Sequence, residues 1–332
     1  MRTRTEISIT QRRNTQGLLR PLLEEMFRFP VRVDDEDDIA FMYHAAMKSM
    51  QRERERVNSA VFSPSGLASC LRRVYLGRHW KDMGLERIEL PNIQTQGTFS
   101  QGDWVHLQWH FYLFKLDVMF PDKFMLVDVE IPVLSKRKDH GGTIDAVGYL
   151  IEHDLPVLID YKGWNVRNWQ QAQNSLDHST RIQVTDYMML LNSNGGWKSL
   201  LQIEEREGVL KDAKERVEDA LVLAINKGGP DPKHPLALHE IHVSLKDNLP
   251  DVHTRLGVLR EHEAKKEIPK PECESTKTVQ FQGCPFAGFC REEVKAVEKR
   301  IRDTESRNTE RQSLRVATPR RADRSRRSRP KR

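Results

Sequence analysis

The chain has 332 residues, 38% of them apolar and 31% charged, which is ample to bury a core. No apolar run approaches the roughly 18–20 residues of a membrane span, and the first twenty residues lack the apolar centre of a secretory signal. A cytoplasmic setting with reduced cysteines is therefore expected; the five arginines against Glu6 in that stretch are a trait shared with organellar transit peptides. The net charge of +6 is uneven, because Arg311–Arg332 holds ten Arg/Lys and one acid. That tail carries +9 and the rest of the chain −3. A Ser/Arg-rich run of this kind is expected to stay disordered, either as a solubilising tail or as a salt-sensitive tether to phosphate backbones.

In chain order, acids from Asp34 open a helix that a basic run closes near Arg56. Ser63-Pro64 supplies a cap and a first-turn proline for a second helix, SPSGLASCLRRVYLGRHW, with Cys70 on it. A third helix spans about Gln101–Leu116, with Val105, Trp109, Tyr112 and Leu116 on one stripe. Three strands follow: FMLVDVEIPVL, GGTIDAVGYLI and LPVLIDYKGW. A helix over about Thr180–Asn192 stops at Gly195-Gly196. WKSLLQIEE reads as a strand, Lys211–Lys227 as a charged helix, LALHEIHVSL as a strand and Val252–Lys266 as a helix. A Pro/Cys loop, a short helix and the tail complete an α/β chain with a central sheet flanked by helices.

The strands carry the chemistry. Side chains alternate along a strand, so Asp160 and Lys162 share a face while Tyr161 points away. If GTIDAV pairs with VLIDYK, Asp145 joins them at the same edge. Two carboxylates on rigid strands suit Mg²⁺, and a neighbouring lysine can orient a water and offset charge on a phosphate. Taken alone, the Asp-x-Lys triplet equally fits a salt-bridged strand end.

The order Gly102-x-x-x-His106, Gly142-Thr143-Ile144-Asp145, Asp160-Tyr161-Lys162 and Gln183-x-x-x-Tyr187 resembles the PD-(D/E)XK nucleases. Within that superfamily the likeness is to the RecB-like iron–sulfur exonucleases, including AddB-type nucleases, CRISPR-associated relatives and phage members. It covers roughly residues 60–295. The resemblance implies a restriction-endonuclease-like core with a central mixed sheet. It implies that His106, Asp145, Asp160 and the main-chain carbonyl of Tyr161 hold Mg²⁺ or Mn²⁺. Lys162 would position the attacking water, and Gln183 and Tyr187 would support Lys162 or touch the DNA backbone.

The four cysteines flank that core: Cys70 before it, Cys273, Cys284 and Cys290 after it. Cys₄ sites take zinc as readily as a [4Fe–4S] cluster. The resemblance implies the cluster, joining the two ends of the chain, although Cys273 stands further from Cys284 than the family's spacing. The expected organisation is an N-terminal helical segment over 1–60, the nuclease domain over 61–295 and a basic tail over 296–332. The expected function is a metal-dependent DNA exonuclease acting on single strands or ends in recombination, repair or replication, with DNA and proteins of those processes as partners. The alternatives are a non-catalytic DNA-binding or assembly protein of the same fold, a sequence-specific endonuclease and a zinc-organised interaction protein. Trp164, Arg167 and Trp169 are candidates for gripping a single strand. Trp104 and Trp109 are expected in the core, and His234, His239 and His242 have no assigned function.

Overall fold

The computed structural model describes residues 17–56, 62–85, 93–166, 169–170, 176–201, 210, 213–229 and 237–317. Arg167 and His234 lie outside the described residues. The chain divides into two units, Met1–Leu85 with Glu89–Lys270, and Glu86–Ile88 with Pro271–Arg332. The first sixty residues thus belong to the larger unit, and the boundary falls at Lys270 where 295 was expected. Among the described residues no helix is long and apolar enough to cross a membrane.

In the larger unit, helices α1 (Arg20–Met26), α2 (Glu36–Arg56), α3 (Pro64–Leu67), α4 (Leu71–His79) and α5 (Ile93–Met119) precede strands β1 (Phe124–Leu134), β2 (Gly141–Leu150) and β3 (Leu155–Trp164). Then come α6 (His178–Ser193), β4 (Asp219–Asn226), β5 (Leu238–Ser244) and α7 (Leu245–Lys265). Among the described residues the strands form one mixed sheet in the order β1-β2-β3-β4-β5. Its one parallel pairing is β3 with β4, reached by the crossover through α6; the neighbouring pairs are antiparallel.

Both faces are covered. Ile144, Val147, Leu158 and Val222 pack under Val184, Met188 and Leu191 of α6. Ala146, Ile159, Tyr161, Leu221 and Leu223 share the other apolar cluster with Trp109, Leu113 and Leu116 of α5 and Leu19 and Leu23 of the α1 segment. Strand β4 is buried at every position, as a central strand covered on both sides must be. Glu240 of β5 reaches α1 and accepts from the amides of Leu18, Leu19 and Arg20, satisfying donors that a helix start leaves open. Helix α2 is tied to α5 and β1 by Lys115–Asp38 at 2.8 Å and Lys48–Asp128 at 2.6 Å.

Several expected elements are corrected. The single helix over SPSGLASCLRRVYLGRHW is two, because the Ser69 hydroxyl bonds back to the Gly66 carbonyl and Cys70 adopts a non-helical backbone. Cys70 therefore caps α4 rather than lying within a helix. Arg255 of α7 donates to the carbonyls of Leu67 and Ser69 and pins that turn. Trp197–Leu200, expected at the head of a strand, is a 3₁₀ turn held by the Trp197 indole on the Lys214 carbonyl. The second half of the expected helix 211–227 is β4, since its apolar run needs burial on both faces, which a half-exposed helix would not give. Helix α7 starts at Leu245, with Pro250 early enough in the helix to be accommodated. Trp104, expected in the core, is 71% exposed, whereas Trp109 is buried.

The smaller unit contains α8 (Val279–Gln282) and α9 (Ala287–Ala317). Residues 296–317, expected at the head of a disordered tail, continue α9 as helix. Glu298 of α9 accepts from the Ser275 hydroxyl and the Thr276 amide, fixing the loop just after Cys273.

Candidate active site

The β2–β3 ladder runs from Leu150–Leu155 to Ala146–Ile159 and stops there. One step on, Asp145 and Asp160 stand opposite each other. In place of the next ladder bond, the Tyr161 amide donates to Asp145 Oδ2 at 2.8 Å. The carboxylate thus closes the splayed strand end and keeps its other oxygen, Oδ1, for a second partner. His106 of α5 holds Nδ1 3.5 Å from that oxygen. This nitrogen is buried and makes no hydrogen bond. On the face away from Tyr161, the Lys162 ammonium straddles Asp160, 3.0 Å from Oδ1 and 2.9 Å from Oδ2. His106, Asp145, Asp160, Tyr161 and Lys162, read from separate motifs, are thereby brought together.

The electrostatics of this cluster are unbalanced. Asp145 and Asp160 are 8% and 2% exposed, so both pay heavily for ionisation. Burial, reinforced by the charge of Asp145, pushes Asp160 up to about 6 against the pull of Lys162. Burial also acts on Asp145, but His106, Lys162 and the Tyr161 amide outweigh it and hold its carboxyl below the usual range. Lys162 loses solvation too, yet the two aspartates keep its ammonium above its ordinary value. Asp177, the N-cap of α6, adds its charge to the Lys162 environment and was not singled out from the sequence. Two buried acids with one lysine between them leave room for a further positive charge, so the donor set fits a divalent cation. Among the described residues, no group of three or more His, Cys, Asp or Glu side chains is drawn into a ready metal shell.

No family model matches the chain, and no curated protein matches it either. The site must be judged on its own geometry.

Tyr187 and Gln183 lie on α6. Tyr187 stands over Gly142, where an added Cβ would meet its hydroxyl at 3.1 Å and Pro64 at 3.0 Å. A glycine is needed there for close approach, and the approach fixes Tyr187 three residues upstream of Asp145. Gln183 is half-buried one turn earlier on the helix. Beside them, Asp186 accepts from or donates to His140 Nε2 at 2.6 Å, with both side chains fully buried. This pair anchors α6 at the entrance to β2.

Trp169 is 1% exposed, donates its indole N–H to the Ala224 carbonyl and stacks on His239 at 4.0 Å. It is a core residue and is not available to stack on a base. His242 pairs with Asp219 across β4–β5 at 2.6 Å. The four cysteines form no disulfide; Cys70, Cys273 and Cys290 are buried and Cys284 is half-buried. Cys70 belongs to the larger unit and the other three to the smaller.

Two functional neighbours went unread in the sequence. His110 is one turn beyond His106 and 1% exposed, with its ring 5.3 Å from that of Tyr161. The i to i+4 spacing of His106 and His110 was the available signal. Glu130 of β1 is 3% exposed and stands level with Asp145. Nothing in its flanking Val129 and Ile131 marks it in the sequence.

Proposed function

We infer that this chain is a divalent-metal-dependent nuclease that hydrolyses phosphodiester bonds, acting as an exonuclease on single-stranded DNA or DNA ends. The observation that carries the reading is the excess of buried acid at one strand end: Asp145 opposite Asp160, with Lys162 and His106 beside them. Asp145, Asp160, His106 and the Tyr161 carbonyl would hold Mg²⁺ or Mn²⁺. Bound there, the cation supplies Lewis-acid polarisation of the phosphate and a more acidic water.

The chain's own residues do the rest. Lys162 stays protonated between the aspartates, so it donates hydrogen bonds to the attacking water and offsets charge on the phosphate oxygens. Asp145 commits one oxygen to the Tyr161 amide, which fixes the direction of the other. Gln183 and Tyr187 of α6 would contact the DNA backbone. The preference for DNA, the need for an end and a place in recombination, repair or replication come from the family resemblance, as does the assignment of Cys70, Cys273, Cys284 and Cys290 to a [4Fe–4S] cluster. Four free thiols are the right donors for such a cluster.

End-labelled linear and circular single strands, incubated with anaerobically purified protein, test the reading. Linear strands should be degraded with Mg²⁺ or Mn²⁺ and spared in chelator, with Asp160→Asn inactive. Cleaved circles would make the protein an endonuclease, and binding without cleavage would make it a DNA-binding protein. Metal analysis of the same sample should return about four iron per chain. Zinc in place of iron would favour the zinc-organised alternative.

A further inference from the structure

Strand β1 pairs Val129 with Ala146 and Ile131 with Ile144, which leaves Glu130 level with Asp145. Asp160 occupies the same level on the other side of Asp145. Three acidic residues therefore share one row across β1, β2 and β3. Sequence motifs account for Asp145 and Asp160 but not for Glu130.

Glu130 stands out in two independent ways. Its side chain is buried, at 3% exposure, although an isolated carboxylate is costly to bury. Its backbone also lies at φ 49°, the left-handed region, within a strand. Non-glycine residues persist there only where the surroundings over-determine them, and such positions gather at functional sites.

What surrounds Glu130 is polar. Tyr161 is 1% exposed, and its hydroxyl is buried with no hydrogen-bond partner. The Tyr161 ring stands edge-on to His106 at 5.5 Å and tilted on His110 at 5.3 Å. Burial raises the Tyr161 hydroxyl well above its ordinary value, and the charges of Asp145, Glu130 and Asp160 add to it. Glu130 and Asp145 therefore act on the same ring, from β1 and β2. His106, whose Nδ1 faces Asp145, rests against that ring from α5.

We propose that Glu130 is a positioning residue of the Asp145 site, holding Tyr161, and through it the His106 ring, in register with Asp145 while adding a third negative charge to the field of a divalent cation. The proposal rests on reading the site as a metal centre. Its chemistry has a general basis: groups behind metal ligands orient them, and their removal weakens metal binding by about 10–100-fold. A buried charge one residue away acts through a low-dielectric interior and is felt strongly.

The test is Mn²⁺ affinity of the full chain by calorimetry, comparing wild type, Glu130→Gln, Tyr161→Phe and Asp160→Asn, with metal-free melting curves for each. Glu130→Gln keeps the volume and removes the charge. It should weaken Mn²⁺ by about tenfold or more without lowering the metal-free melting temperature. A merely structural Glu130 would do the reverse, and wild-type affinity in Glu130→Gln overturns the proposal. Should Glu130→Gln fail to fold, Tyr161→Phe decides: weaker Mn²⁺ binding supports the proposal and unchanged binding overturns it. Absence of Mn²⁺ binding in wild type, or its full retention in Asp160→Asn, overturns the metal-centre reading itself. Failure of Glu130 alone leaves that reading standing.

Discussion

Asp160 carries two opposed demands. It must be ionised to hold a cation, yet it is buried opposite another acid. In metal-free protein its charge is therefore a cost that Lys162 offsets only in part. Asp160→Asn removes one of two buried like charges at nearly constant volume. The variant should melt a few degrees higher than wild type in chelator and show no metal-dependent cleavage, both read on one preparation. A lower melting temperature would mean that the Lys162 pairing outweighs the repulsion. Residues of this kind trade stability for chemistry, which is why they concentrate at sites.

At the scale of elements, side-chain ties lock helices to the sheet that bears the site. Asp38 at the start of α2 is 1% exposed and depends on Lys115 of α5. Lys115→Ala strands a buried carboxylate and should cost about 3–5 kcal/mol in urea unfolding, with Asp38→Asn added in the same chain recovering part of it. Asp139, in the β1–β2 turn, is tied to Arg260 of α7. Against its partial burial, the hydrogen bonds and charge of Arg260, with the Ser135 hydroxyl, hold the Asp139 carboxyl down at about 2. Its folded-state value thus lies below the unfolded one, so the stabilisation is present above about pH 4 and lost as pH falls through about 2. The melting difference between wild type and Arg260→Ala should be widest above pH 4 and close on acidification.

The same scale explains what the sequence made legible. β1, β2 and β3 alternate or run apolar between clear turns, so their pairing and the meeting of Asp145 with Asp160 could be read directly. β4 was hidden because LKDAKERVED precedes its apolar run and reads as a charged helix. The break before α4 was hidden because it is made by Ser69 and by Arg255, nearly two hundred residues away. Glu130 was hidden for a third reason. Strand alternation assigns faces only where the backbone is extended, and at φ 49° it is not.

Over the whole molecule, charge is segregated by sequence: residues up to 310 sum to −3 and the last twenty-two to +9. An acidic body repels a polyanion, so DNA capture should depend on the tail. Truncation after Ala317 should weaken single-strand binding and reduce its salt dependence, with cleavage at saturating DNA little changed. Titrations at two salt concentrations measure both effects, and an unchanged salt slope would move the contact to the body. The division into two units also separates Cys70 from Cys273, Cys284 and Cys290 along the chain. The arrangement of α9 differs from the expected free tail, since helix continues to Ala317 before the densest run of arginines begins.

The bond from the Tyr161 amide to Asp145 Oδ2 gives the site its own isotope reporter. In an ordinary strand that proton would be guarded by a neighbouring carbonyl, and its exchange with deuterium would report on the sheet. Here it is guarded by the carboxylate proposed to bind metal. Its exchange rate should slow when Mg²⁺ is added and rise sharply in Asp145→Ala, while Ile159 and Leu158 deeper in the ladder stay protected. The state of the site can thus be followed at one backbone position, without substrate and without turnover.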